Sequence, residues 1–222
     1  MSTSRDNIMG RVRKALGKPG RDEAALAAAE AYIASHAQGP RPMATGDLVE
    51  QFMRRARDME STVERVGERS AIPSSVARYL DGLRLSPASA MDNPRAGVCW
   101  PELADLDWAA AGLAIEARPT TGGDRLAVTG VFCAIAETGT MAIVSGPDTP
   151  TGSMLLPETH VALVPAQRIV RSMEDAFALL RQEHPVMPRG VHLVSGPSRT
   201  GDIEQTIVLG AHGPYRVHIL VV

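Results

Sequence analysis

Cysteine is scarce in this chain. Cys99 and Cys133 are the only two in 222 residues, and no C-x-x-C spacing occurs. A Cys-ligated iron–sulfur cluster needs about four thiolates, so the chain cannot hold one by itself. The six histidines lack the paired spacing of a structural zinc site, so no metal site is expected. Both cysteines stand among apolar residues and read as inert core packing, and a reducing compartment disfavours a disulfide between them. Long apolar runs are absent too. No stretch approaches the roughly 18 residues of a membrane span. The start, Met1-Ser2-Thr3-Ser4-Arg5-Asp6, leads into a polar helix without the apolar core of a signal peptide, so the expected compartment is the cytoplasm. Nor does one sign of charge dominate. Lys and Arg number 23 against 25 Asp and Glu, a net charge of -2, which favours neither nucleic acid nor an anionic membrane. The usual nucleotide and hydrolase fingerprints are also missing: no G-x-x-x-x-G-K-[ST], no G-x-G-x-x-G after a strand, no G-x-S-x-G elbow and no H-E-x-x-H.

What is present is an ordinary globular composition, 44% hydrophobic and 22% charged, which excludes a disordered chain. Residues 1–60 read as an N-terminal helical arm. Ile8, Val12, Ala15 and Leu16 fall at helical spacing before Gly17 and Pro19 stop the pattern. A second helix runs from about Arg21 to Ala37 with Leu26 and Ile33 among alanines, and Gly39-Pro40-Arg41-Pro42 is a linker. Asp47 is placed to cap a third helix carrying Leu48, Phe52 and Met59. Such an arm serves packing or oligomerisation, and a homo-oligomer is compatible with it.

Residues 61–222 read as one α/β domain. Thr62–Val66 is a short strand, and a helix opening at Pro73 continues to Leu83. Residues 86–125, with Trp100 and Trp108, give no clear pattern. Apolar runs then follow at Val131–Ala136, Met141–Val144, His160–Val164, Val191–Val194, Ile207–Leu209 and Val217–Val222. The amphipathic helix Ser172–Glu183 lies among them, with Met173, Ala176, Phe177 and Leu180 on one face. Near-continuous apolar strands separated by helices imply a sheet buried on both faces. The tight Glu-Thr-Gly turn between the first two runs implies an antiparallel hairpin inserted in that sheet.

Two turn-rich loops follow apolar strands. Small residues at the carboxyl end of a strand let backbone amides approach a ligand. The first loop is Ala134-Ile135-Ala136-Glu137-Thr138-Gly139-Thr140. A carboxylate at the end of a buried strand needs a partner. Glu137 is either a general base, nucleophile or cation ligand, or an acceptor for the amides of its own turn. Thr138, Gly139 and Thr140 complete the turn. The second loop is Ser195-Gly196-Pro197-Ser198-Arg199-Thr200-Gly201-Asp202-Ile203-Glu204-Gln205. Ser195, Ser198 and Thr200 supply hydroxyls, and Gly196 and Gly201 permit close backbone approach. Arg199 offers a planar fork to a carboxylate or phosphate. Asp202 is placed to cap a following helix, with Glu204 and Gln205 in its first turn. Either this loop binds an anion, or it is a strand-to-helix turn with Arg199 solvated. His212-Gly213-Pro214 forms a third turn, whose His is an acid/base group or a structural one. The strand pattern predicts that all three loops meet at one edge of a single sheet, with Glu137 and Arg199 facing a shared cleft.

These loops, together with Leu155-Leu156-Pro157 and Val208-Leu209-Gly210-Ala211-His212-Gly213-Pro214, resemble the lactate-utilization protein C family (LutC-type, LUD domain) in order and spacing from about Gly97 to Val222. The sequence departs from the family where Phe132 and Cys133 follow Thr129-Gly130-Val131. The resemblance implies a three-layer α/β sandwich similar to the NagB/RpiA/CoA-transferase-like fold, with helices on both sides of the sheet. It implies a part in oxidising L-lactate to pyruvate beside Cys-rich partner subunits that carry the iron–sulfur clusters, this chain being the subunit without a cofactor of its own. A small organic acid is then the ligand expected at Glu137, Thr138, Gly139, Thr140, Ser195, Gly196, Ser198, Arg199, Thr200, Asp202, Glu204, His212 and Gly213, unless these residues face a partner subunit. Two other readings stay open: a free-standing enzyme of this fold acting on a phosphorylated, acyl-CoA or folate-like anion, and a scaffold.

Overall fold

The computed structural model describes residues 3–17, 22–41, 46–83, 93–200 and 208–222. The chain divides into two units, Met1–Pro42 and Met43–Val222. The first holds α1 (Ser4–Ala15) and α2 (Glu23–Ser35). Thr3 and Asp6 form a reciprocal capping box at the start of α1, and the Asp22 carboxylate accepts from Ala25 N at the start of α2. Neither helix buries a residue.

The second unit opens with α3 (Leu48–Asp58), where the Asp47 carboxylate accepts from Val49 N and Glu50 N. Phe52, Met53 and Ala56 of α3 lie in the core of this unit. The boundary therefore falls at residue 42, not at residue 60 where the helical pattern ends, because the apolar stripe of α3 is core-forming. Burying a side chain such as Phe52, fully enclosed, is worth about 2–3 kcal/mol.

The chain continues through β1 (Thr62–Arg65), α4 (Ile72–Leu83), β2 (Ala96–Cys99), β3 (Ala114–Ala117), β4 (Leu126–Gly130), β5 (Cys133–Ile135) and β6 (Thr140–Val144). After a short α5 (Gly152–Leu155) come β7 (Thr159–Val164), β8 (Ile169–Val170), α6 (Met173–Glu183) and β9 (Val191–Val194). The last strands are β10 (Arg199–Thr200), β11 (Val208–Leu209) and β12 (Arg216–Val221).

Six strands form a parallel central sheet in the order β1-β12-β7-β4-β2-β3. Both faces are buried, and side chains alternate between them along each strand as the pleat requires. Val161, Leu163 and Leu220 pack with Ile72, Val76 and Leu80 of α4 on one face. Ala162, Val164, Val217, Ile219 and Val221 pack with α3 on the other. That second face also meets Ala134, Met141 and Ile169 from a separate four-stranded sheet, ordered β8-β5-β6-β9. The β5–β6 hairpin is antiparallel as expected. It is not inserted in the central sheet, however, because its edges pair with β8 and β9. Helix α6, capped by the Ser172–Asp175 box, covers the outer side of this second sheet through Ala176 beside Cys133, Ile135 and Ala142. This second unit is a mixed α/β sandwich. Among the described residues, no helix is long and apolar enough to cross a membrane.

Candidate functional site

The turn-rich loops meet, but what they meet around is the end of α3. Helix α3 closes in a Schellman arrangement, with Ser61 N donating to Ala56 O at 3.0 Å and Glu60 N donating to Arg57 O at 2.8 Å. Glu60 takes the left-handed position of that motif, φ 64°, where glycine is usual. Gly139 (φ 70°) leaves no room for a β-carbon against the backbone of Arg55 and Ala56, and Gly196 (φ 82°) leaves none against Met59 O. Arg199 donates to Met59 O at 3.0 Å and pairs with the Glu60 carboxylate at 3.1 Å. A guanidinium on the terminal carbonyl of a helix satisfies an orphan acceptor and complements the negative end of the macrodipole. Gly139, Gly196 and Arg199 thus clasp α3.

The other predicted residues form two polar groups. Thr138 Oγ1 and Thr140 Oγ1 lie 2.7 Å apart, as do Thr140 Oγ1 and Ser195 Oγ, making a chain of three hydroxyls. Ser198 ties the final turn together: Ser198 N donates to Pro214 O, and Ser198 O accepts from Gly210 N. Ser198 Oγ accepts from His212 N, and Gly213 packs against the Ser198 side chain. Thr200 pairs with Val208 in the β10–β11 ribbon. His212 is exposed. Glu137 donates its backbone N–H to Arg171 O at 3.0 Å, and its half-buried carboxylate has no hydrogen bond or ion pair among the described residues. Gly201, Asp202, Glu204 and Gln205 lie outside the described residues. The expectation of a single sheet edge is corrected. Glu137 and Ser195 flank strands of the four-stranded sheet, whereas Arg199 belongs to the separate β10–β11 ribbon and is engaged with α3.

A different concavity lies where parallel α/β sheets place their ligands, outside the carboxyl ends of the strands. A crevice of about 380 Å³ is lined by Gly67 after β1, Gly130 and Val131 at the end of β4, Leu163 and Pro165 at the end of β7, and Val222 after β12. Arg69, Glu102 and Gln167 are the long polar side chains on its wall. Arg69 is held by Glu102 O at 2.6 Å and by the Asp105 carboxylate at 2.7 Å, so its charge is balanced. The Glu102 carboxylate lies over Gly130, where any β-carbon would strike it, and it has no hydrogen bond or ion pair among the described residues. The free charge of the crevice is therefore negative, suited to a hydroxyl or N–H donor rather than to a bare anion. The sequence signal was a glycine at the end of a buried strand, but Arg69 and Glu102 come from segments without a readable pattern.

Two histidines that sequence reasoning passed over are buried in the central sheet, one on each face. His160 is fully enclosed, with Nε2 2.8 Å from Thr129 Oγ1 and Nδ1 without a partner among the described residues. His218 stacks on Tyr79 at 3.9 Å, with Nδ1 2.8 Å from Thr62 Oγ1 and Nε2 without a partner among the described residues. Burial pushes both imidazoles down to about 4. Burial likewise pushes the Cys99 and Cys133 thiols up to about 11, which makes them unreactive.

A parallel sheet with an open carboxyl edge and a buried hairpin layer defines an α/β-sandwich protein with a ligand-sized crevice. The model of the LUD domain matches residues 102–222, and the chain belongs to that family. Among curated proteins it is similar to lactate utilization protein C of Bacillus licheniformis, 38% identical over 91 residues that make up 40% of this chain and 38% of that one. The Bacillus subtilis protein of the same name is 35% identical over 91 residues, again 40% and 38% of the two chains. An uncharacterized protein of Neisseria meningitidis serogroup B is 37% identical over 93 residues, 42% and 40% of the two. The matched part thus spans about two fifths of these relatives. Among solved structures, a DUF162 family protein of Deinococcus radiodurans shares the fold, with a TM-score of 0.56 at 20% identity, covering 81% of this chain and 99% of that one.

Proposed function

We propose that this chain serves lactate utilization as the cluster-free member of an iron–sulfur lactate-oxidising system, working beside Cys-rich partner subunits. The observation that carries the reading is the LUD match over residues 102–222 together with relatives named lactate utilization protein C. The two buried thiols are in keeping with it, since the electrons from L-lactate would pass to clusters on other chains. In this reading Glu102 offers the crevice an acceptor for a substrate hydroxyl, while Gly139, Gly196 and Arg199 hold α3 and shape the surface a partner meets. Glu137 lies beside that surface with its carboxylate unengaged among the described residues, and the Thr138 and Ser195 hydroxyls meet beneath it on the buried Thr140. One observation favours a second reading. The crevice is far larger than a three-carbon acid fills and falls in the range of sites for larger ligands, about 300–1,000 Å³. A free-standing enzyme acting on a bigger substrate would use that volume.

The test is genetic and biochemical together. A strain lacking the chain should fail to grow on L-lactate as sole carbon source and recover with the wild-type gene. The tagged full chain should co-purify with a Cys-rich protein showing cluster absorbance. Unimpaired growth on lactate without the chain would sink the first reading, and turnover of an acyl-CoA, phosphorylated or folate-like compound by the isolated chain would establish the second.

A further inference from the structure

Helices α1 and α2 are well capped, yet neither buries a residue. Isolated helices shorter than about 12–15 residues are marginal in water, and most helices in proteins gain their stability by packing an apolar face. These two have 12 and 13 residues, and each has such a face. On α1, Ile8, Val12 and Leu16 follow one another a turn apart, exposed by 57%, 44% and 66%, with Met9 beside them. On α2, Leu26 and Ile33 stand two turns apart with Ala29 between, and Ile33 is 68% exposed. The alanines that fill the rest of α2 allow another helix to come close.

The two faces are edged by opposite charges. Helix α1 carries Arg5, Arg11, Arg13 and Lys14 against Asp6 alone, and at 100° per residue Arg11 and Arg13 border its apolar arc on either side. Helix α2 carries Glu23 and Glu30 beside the Leu26–Ile33 stripe and no lysine or arginine.

We propose that the arm joins two copies of this chain, α1 of each lying against α2 of the other. The exchange is reciprocal, so the contact is two-fold symmetric and closed. It covers Ile8, Val12 and Leu16 with Leu26, Ala29 and Ile33, and sets the arginines of α1 beside the glutamates of α2. A second copy fits better than the chain's own α2, because α1 and α2 of one chain bury nothing.

Sedimentation velocity on the full chain at low ionic strength reads the outcome. The wild type should be a dimer across the micromolar range, and Val12→Glu should be a monomer with an unchanged sandwich. Glutamate is a better helix former than valine, so a broken helix could not account for that loss. Arg11→Glu and Glu30→Arg should each weaken the dimer about tenfold, since each places like charges at both symmetric contacts. Mixing those two variants should restore wild-type affinity, because every contact then pairs Arg with Glu across chains. A monomeric wild type, a dimer indifferent to Val12→Glu, or no recovery on mixing would overturn the proposal. So would a monomer that pellets with phosphatidylglycerol vesicles, which would make α1 a membrane-surface helix.

Discussion

Acidification should destabilise this protein well above the range where carboxylates titrate. His160 and His218 are buried, neutral and each short of one hydrogen-bond partner. Their imidazoles are pushed down from 6.5 to about 4 by burial. Between those values the unfolded chain binds two more protons than the native one, so stability falls as pH falls. Each histidine contributes about 1.4 kcal/mol per pH unit in mid-window and about 3 kcal/mol across all of it. At pH 5 the pair together has cost about 4 kcal/mol relative to pH 7.5, a large share of a typical total of about 5–15 kcal/mol. Asp124, held below the usual carboxylate range chiefly by Arg118, loses its stabilisation only as pH falls below about 4, so the two effects occupy separate windows. The assay is urea unfolding followed by circular dichroism at half-unit steps from pH 7.5 to 5. His160→Gln, neutral throughout, should be less stable at pH 7.5 but should show about half the wild-type slope below pH 6.5. Stability flat from pH 7 to 5, or the His160 or His218 imidazole titrating near 6.5 in the folded protein, would refute the reasoning.

The clasp on α3 gives two further expectations. Gly139→Ala and Gly196→Ala each force a side chain into the left-handed region and into the backbone of α3, and each should cost about 2–4 kcal/mol in urea unfolding. Gly122→Ala, which meets nothing within 4 Å, should stay within about 0.5 kcal/mol of wild type. Arg199→Ala should lower stability by about 1 kcal/mol through the lost helix-end contact. Glu60→Gly should raise it by roughly 0.5–1 kcal/mol by relieving the left-handed glutamate at the end of α3. If Arg199→Ala leaves the melt unchanged, the residue is no cap.

Local chemistry was legible in the sequence, and long-range pairing was not. Asp47 and Ser172 announce their helices, and both caps form. The run His160–Val164 reads as a buried strand because its pattern is nearly all apolar, and β7 is enclosed along its whole length. The same run conceals His160, since one imidazole hardly changes an apolar signal. Periodicity finds strands without saying which sheet they join, so the hairpin could not be placed. Arg199 lies 140 residues from the carbonyl it caps, and no spacing rule spans that gap. Glu102 owes its place to the bare backbone of Gly130, a contact set by the packing of two strand ends.

Strand β1 has a single neighbour in its sheet, β12. On a ribosome, residues 62–65 emerge about 150 residues ahead of the strand they pair with, a delay of roughly 8–30 s at 5–20 residues per second. During that interval the growing chain holds an unpaired strand edge and the open underside of α3, surfaces prone to mispairing. Strand β12, made after the other five strands of this sheet, stands inside it between β1 and β7, so the sheet closes in one late step. A polypeptide stalled before Arg216 would leave β1 with nothing beside it, and quality control would see it as unfolded.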